Sequence, residues 1–174
     1  MSNQVEKFPG IFPGTIKAPL DILSLEKTAD VICEGEVAYV IDEGEVQYLV
    51  GDNQARFRTK VALFHVDLLH KGTIPSAVIE IEFVEPDFPS SMESLSRGEY
   101  VLIFLASTGT RYRFASLTAT KLPVIRQPLP AAKGEASALA RIRKTLTRSL
   151  AEPNNEAVRS ALDDLGDAGN EEKS

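Results

Sequence analysis

Alternating apolar and polar residues recur between residues 31 and 117 and predict a series of β-strands. Small clusters of Gly, Asp and Asn separate them, as in short turns between consecutive strands. The predicted strands cover 31–41, 46–50, 55–69, 78–84, 99–106 and 112–117, with turns at 42–45, 51–53, 71–72 and 108–110. Since no helix long enough for a crossover separates them, we expect an antiparallel barrel or sandwich and favour a small closed barrel.

The pattern of the longest predicted strand, residues 55–69, changes along its length. In its first half Arg56, Arg58 and Lys60 share one face, while the alternate positions hold apolar residues and a threonine. From Ala62 onward both faces are apolar. This change indicates either that both faces are covered or that a β-bulge turns the strand.

Beyond the predicted strands and a proline-spaced linker, the period of the apolar residues becomes that of an α-helix. One apolar stripe consists of Leu139, Ile142, Leu146 and Leu150, and a second of Val158, Ala161, Leu162 and Leu165. Asn155 is a suitable N-cap for the second helix and Gly166 a suitable end. We therefore predict a helical αα-hairpin over residues 131–166 and a disordered tail over residues 167–174.

Five proline and glycine residues within residues 1–19 predict an irregular N-terminal arm. The apolar residues of this arm can pack it along the body; they are Phe8, Ile11, Phe12 and Ile16. A short helix is predicted from residue 20 to residue 27. It begins the β-barrel domain, whose predicted bounds are residues 20–122.

Composition and charge exclude several classes of protein. A chain of 174 residues can bury a core without disulfides or metal. The net charge of −6 argues against general nucleic-acid binding. A single cysteine, Cys33, excludes an intrachain disulfide and a thiolate zinc site. No apolar run approaches the roughly 20 residues that span a bilayer. No secretory signal is visible, so the chain as given is expected to be cytoplasmic, or exported if a signal was trimmed.

The sequence offers no recognisable catalytic or metal-binding motif. Neither a nucleophile elbow nor a phosphate-binding glycine loop is present. His65 and His70 lie an odd number of residues apart on one predicted strand, so a regular strand places them on opposite faces. Cys33 lies among apolar residues, as a buried structural cysteine does. We therefore expect no catalytic residue, no metal and no cofactor. An enzyme with a hidden site stays an alternative, with Cys33, His65 and Glu82 as the residues to examine.

The basic residues of the predicted strands are the best candidates for binding a ligand. The candidate residues are Arg56, Arg58, Lys60, Arg111, Arg113 and Tyr112. Cross-strand ion pairs offer a structural explanation for the basic row, with acidic partners drawn from Glu80, Glu82, Glu85 and Asp87. We prefer this ladder of ion pairs to a functional site, because exposed alternation is the default pattern of a strand.

Three segments together resemble a known type of module. They are ADVICEGEV at 29–37, VDLLHKG at 66–72 and LSRGEYVLIFL at 95–105. Residues 20–117 resemble bacterial OB-fold-like modules similar to tissue inhibitors of metalloproteinases and netrin domains. The resemblance implies an OB-like barrel, but not protease inhibition, because the N-terminal cysteine framework of the inhibitors is missing. Residues 150–167 resemble part of a HEAT-like helical repeat.

The sequence thus predicts a mainly β protein: a small antiparallel OB-like barrel with a C-terminal αα-hairpin. The expected function is a non-catalytic binding or protein-interaction module of unknown ligand. Its partner would be another protein, bound through the barrel face or the helical tail. The alternatives are the hidden enzyme and an oligonucleotide- or glycan-binding barrel. The acidic net charge makes nucleic acid the weaker of these.

Overall fold

A computed structural model describes residues 4–9, 12–14, 20–126, 137–150 and 156–171 of the chain. Within these residues the chain forms six strands and three helices. In chain order they are α1 (Ile22–Thr28), β1 (Val31–Val50), β2 (Asn53–Lys71), β3 (Val78–Pro86), β4 (Tyr100–Ser107), β5 (Tyr112–Phe114), β6 (Lys121–Pro123), α2 (Ala138–Ser149) and α3 (Glu156–Glu171). The predicted mainly β protein with two C-terminal helices is confirmed.

Five of these strands close into a ring. The order is β1–β2–β3–β5–β4, with β4 pairing back onto β1, and β6 lies beside β5 along β4. Every pair is antiparallel except β3 and β5, which run parallel at Ile81 and Tyr112. The sheet is therefore mainly antiparallel, with one short parallel pair. Strand β4 carries the chain back across the ring, so β3 and β5 run in the same direction without a crossover helix.

β1 is one continuous strand of 20 residues, not the two strands and turn that the sequence pattern predicted. Asp42 pairs with Lys60 and Gly44 with Thr59, which leaves Glu43 as the extra residue of a β-bulge. Gly44 has a φ of 117°, a conformation that favours glycine, and its N–H donates to Asp42 Oδ1 at 2.9 Å. The polar residues that resemble a turn thus bend β1 without ending it.

β2 contains two further bulges, at Asp67 and His70, where its register with β1 shifts. These bulges turn the strand. A bulge was one of the two explanations offered for the apolar residues on both faces from Ala62 onward. The two strands approach each other very closely where Gly35 of β1 lies beside His65 of β2. A Cβ atom on Gly35 would lie 2.0 Å from the carbonyl oxygen of His65, so only glycine permits this approach.

The apolar residues form two cores. One fills the ring interior, and its larger members are Val37, Phe64, Ile81, Phe83, Ile103 and Leu105. The other lies between the outside of the ring and the three helices, with Ile22, Ile32, Leu102, Phe104, Ile142, Leu146, Val158 and Leu165. The first part of β1 is buried on both faces, because it separates the two cores.

The C-terminal helices pack on the ring through the predicted apolar stripes, except for Leu150, which is 39% exposed. Ser137 caps α2 by accepting a hydrogen bond from the Ala140 N–H at 3.2 Å. The predicted end of the second helix at Gly166 is wrong, since α3 continues to Glu171. The predicted cap Asn155 and the last residues, 172–174, lie outside the described residues.

The N-terminal arm packs along the far end of β1, as predicted. Lys7 forms a parallel bridge with Leu49. The arm contributes two rings to an aromatic cluster of Phe8, Phe12, Tyr48, Phe57 and Phe88. This cluster covers the outside of the β1–β2 hairpin. Ile11 and Ile16, also predicted to hold the arm, lie outside the described residues.

Candidate functional site

The predicted basic row on β2 is occupied by ion pairs within the protein. Lys60 Nζ lies 2.5 Å from Glu85 on β3, a pair within the predicted ladder. Arg58 instead lies 3.5 Å from Asp42, and Arg56 lies 3.9 Å from Glu45, both on β1. The three side chains share one face, as the alternation predicted, but carboxylates neutralise their charge on both flanks.

The second group of predicted binding residues, Arg111, Tyr112 and Arg113, does not share one exposed surface. Arg111 donates to Glu43 and to Glu80, each at 3.0 Å, and these hydrogen bonds raise the pKa of its guanidinium above the usual range. Tyr112 is buried in the ring interior and is not available for stacking on a ligand. Arg113 is exposed, and the register places it opposite Glu82. The six candidate residues therefore do not form one basic surface.

A buried polar cluster that the sequence analysis did not identify joins α2 to the ring. Glu34 on β1 is fully buried. Its Oε2 contacts His70 Nε2 at 2.7 Å and accepts a hydrogen bond from the Thr145 hydroxyl, while its Oε1 accepts from Arg148 at 3.1 Å. The Arg141 guanidinium donates to the His70 carbonyl oxygen. We call Glu34, His70, Thr145 and Arg148 the Glu34 cluster.

The Glu34 cluster is closed to any substrate. Glu34 has no exposed surface, His70 retains 4% and Thr145 retains 2%. A carboxylate beside an imidazole and a hydroxyl suggests acid–base chemistry, but such chemistry needs room for a reacting molecule. Here α2 fills that room. The arrangement satisfies a buried charge and fixes the position of the helix.

The residues named for a hidden enzyme are not brought together. Cys33 points into the ring interior, where burial and the neighbouring Glu34 raise the pKa of its thiol well above the usual range. His65 is exposed and lies 3.2 Å from Asp67. Glu82 lies on the outer face of β3, beside Arg111. Among the described residues, no group of three or more His, Cys, Asp or Glu side chains is placed to hold a metal ion.

An apolar patch lies on the outer face of β1 and β2, beyond the cover of the helices. Tyr39 is 51% exposed and Ile41 is 43% exposed. The register places them opposite Leu63, which is half-buried, and Val61, which is buried, so the four side chains form two adjacent cross-strand pairs of which Tyr39 and Ile41 are the exposed members. We call Tyr39, Ile41, Val61 and Leu63 the outer patch. The guanidinium of Arg97 lies 5.2 Å from the centre of the Tyr39 ring and borders the patch.

The outer patch borders a length of β1 that pairs on one side only. β4 covers the other edge of β1 as far as Glu36, and the arm covers it at Leu49. Val37 is also paired there, through backbone hydrogen bonds with Gly98 and Glu99, but from residue 38 to residue 47 no backbone of the described residues pairs with this edge. We call residues 38–47 the free edge. Exposed apolar side chains beside unpaired backbone groups are typical of a site that receives another strand.

Sequence reasoning did not detect the free edge, because the turn-like residues 42–45 concealed that β1 is continuous.

Comparison with protein-family models, curated proteins and solved structures finds no match to this chain. None of the helices that the structure describes is long and apolar enough to cross a membrane.

Proposed function

We propose that this chain is a non-catalytic protein-interaction module that binds its partner at the outer patch. The observation that carries the proposal is the exposure of Tyr39 and Ile41 side by side on one face of β1. Single exposed apolar residues are ordinary on protein surfaces. Two large ones in adjacent cross-strand pairs mark a contiguous surface that a partner can bury.

The charge distribution supports a protein partner over a nucleic acid. A nucleic-acid site needs unpaired Lys and Arg side chains along one surface. Here Arg56, Arg58, Lys60 and Arg111 each lie within 4 Å of a carboxylate. The predicted stacking residue Tyr112 is buried. The basic residues are therefore better explained as cross-strand partners of acidic residues than as phosphate ligands.

We also propose that the five-strand ring is an OB-like barrel. The closure of β4 onto β1, the parallel pairing of β3 with β5 and the filled interior support this assignment. The proposed binding surface is the outside of β1 and β2, next to the strands that OB-folds commonly use for ligands. The proposed partner, however, would be recognised by apolar contact and not by phosphate charge.

The test is quantitative affinity capture from a lysate of the source organism. The full chain is compared with a Tyr39→Ser/Ile41→Ser variant and with Val78→Ser as the matched control. Val78 is 45% exposed on the outer face, two strands from β1. We expect proteins retained by the parent chain and by Val78→Ser to be lost from the double variant. Equal capture by all three chains, or capture of nucleic acid alone, would contradict the proposal.

A further inference from the structure

The backbone groups that the free edge leaves unpaired can be identified from the hydrogen bonds at its two ends. At one end the N–H of Val37 donates to the Glu99 carbonyl at 2.9 Å, so the backbone N–H and C=O groups of Val37 point away from β2. At the other end the N–H of Leu49 donates to the Glu6 carbonyl at 2.9 Å, so the backbone groups of Leu49 also point away from β2. Alternate residues of a strand direct their backbone groups to opposite edges.

The two bulges in β1 fix which residues between these ends point outward. Ala38 and Glu43 are the extra residues, and each advances the alternation by one position. When the alternation of backbone direction is followed from Val37 with these two shifts, it gives an outward direction at Leu49, as the hydrogen bond there requires. The residues whose N–H and C=O groups point outward are then Val40, Asp42, Glu45 and Gln47. None of the four has a backbone partner in the described part of the chain.

The side chains along the free edge define the chemistry of a strand that pairs with it. On the outer face an incoming strand meets Tyr39 and Ile41, which favour apolar neighbours. On the opposite face it meets Asp42 and Glu45, whose side chains keep 46% and 41% of their surface exposed beside their arginine partners. Opposite charges on neighbouring strands are stabilising.

From these features we propose that the free edge binds an extended segment of a partner protein as an added β-strand. The segment alternates apolar residues, on the side of Tyr39 and Ile41, with Lys or Arg residues on the side of Asp42 and Glu45. This inference rests on the proposed function and specifies its partner. The protein already uses this edge in the same way, since its own arm pairs with β1 at Leu49.

A second copy of this chain is a poorer occupant of the free edge. Residues 38–47 contain three carboxylates and no Lys or Arg. Pairing two copies edge to edge brings these carboxylates against one another, and like charges on opposing strands are destabilising. Glu43 is held by Arg111, but Asp42 and Glu45 keep 46% and 41% of their side-chain surface exposed beside Arg58 and Arg56, which leaves them open to a basic segment. Charge complementarity therefore selects a basic partner over self-association.

The test is amide hydrogen exchange by NMR on the full chain, with a synthetic capped peptide of alternating Val and Lys as the probe. In the free protein we expect fast exchange at the four outward amides. The amides of Ile41 and Val46 face β2 and should exchange slowly. Peptide at about 1 mM should slow exchange at the outward amides at least tenfold, which corresponds to a Kd of about 0.1 mM or tighter. A peptide of alternating Val and Glu should leave them fast.

Two controls separate strand addition from attraction by charge alone. The same Val–Lys peptide with every second amide N-methylated keeps its charge but cannot complete the ladder, and we expect at least tenfold weaker binding. In the protein, Gln47→Pro removes one outward N–H, as edge strands tolerate, whereas Gln47→Ala keeps it. We expect only the proline variant to weaken binding, with both variants giving the parent circular dichroism spectrum.

Three results would overturn strand addition. The first is unchanged exchange at the outward amides with saturating peptide. The second is equal binding of the N-methylated peptide. The third is slow exchange in the free protein that disappears on dilution, which would show a second copy on the edge. If Tyr39→Ser/Ile41→Ser still abolishes partner capture, the proposed function survives these results, and only the mode of binding falls.

Discussion

The Glu34 cluster makes the docking of α2 on the ring measurable. Thr145 is buried in α2, and its hydroxyl donates to Glu34 Oε2. Thr145→Val removes this hydrogen bond while keeping the shape of the side chain. Thr147→Val is the matched control, because Thr147 is exposed on the same helix and its hydroxyl only donates to the Arg143 carbonyl at 2.8 Å.

The expected magnitude follows from the charge on the acceptor. A hydrogen bond to a charged group contributes about 1.5–3 kcal/mol to stability, against about 0.5–1.5 kcal/mol for a neutral pair. Thr145→Val should therefore lower the free energy of unfolding by about 1.5–3 kcal/mol. Thr147→Val should change it by less than about 0.5 kcal/mol, as surface substitutions usually do. Repeating Thr145→Val in a Glu34→Gln background should reduce its cost to about 0.5–1.5 kcal/mol, because the acceptor is then neutral.

The assay is denaturant unfolding followed by circular dichroism, with all five chains at one pH: the parent, Thr145→Val, Thr147→Val, Glu34→Gln and the Glu34→Gln/Thr145→Val double variant. The slope of the transition should stay constant across the variants, so that midpoint differences report stability. Equal losses for Thr145→Val and Thr147→Val would refute the reasoning. So would a Thr145→Val cost that is unchanged in the Glu34→Gln background, since the bond would then owe nothing to the carboxylate charge.

Three further substitutions or treatments test the fold. Gly35→Ala should prevent native folding, measured as loss of a cooperative transition, because the new Cβ meets the His65 carbonyl oxygen at 2.0 Å; a parent-like transition would refute the close approach. Phe57→Ala should cost about 3–5 kcal/mol in denaturant unfolding, since Phe57 is fully buried among four aromatic rings; a loss below about 1 kcal/mol would refute that packing. Cys33 should resist alkylation in the native protein and react in denaturant, because it is buried and its thiol pKa is raised; rapid native labelling would refute its burial.

The apolar periodicity of the chain predicted most of the elements of the fold. The αα-hairpin stripes, the short first helix and the alternating face of β2 lie where it predicted them. Its main error was the turn at residues 42–45, because Gly and acidic residues suit a bulge as well as a turn. The pairing of residues 42 and 44 with β2 depends on long-range contacts, which local pattern does not contain. β6 was missed for a similar reason, since its three residues lie in a proline-spaced segment and pair only through β4.

The candidate site was harder to predict than the fold. The sequence analysis selected basic residues, and the structure shows that most of them are paired with carboxylates of the same sheet. The sequence analysis did not single out Glu34, because only its burial under α2 places it beside Thr145 and Arg148, more than 100 residues away in sequence. The sequence analysis placed Tyr39 and Ile41 on a predicted strand and did not single them out. Their exposure results from the bulge at Ala38, which turns them from the ring interior to the outside.

The free edge also bears on how the chain avoids associating with itself. An exposed edge strand is a template for pairing with other copies, and proteins commonly protect such edges with charge, bulges or a covering segment. All three devices occur along β1: the arm covers one end, two bulges interrupt the strand, and Asp42, Glu43 and Glu45 line the remainder. Protection by charge acts on copies of the same sign and not on a basic strand. The residues that keep copies of this chain apart are thus the ones that would admit the proposed partner.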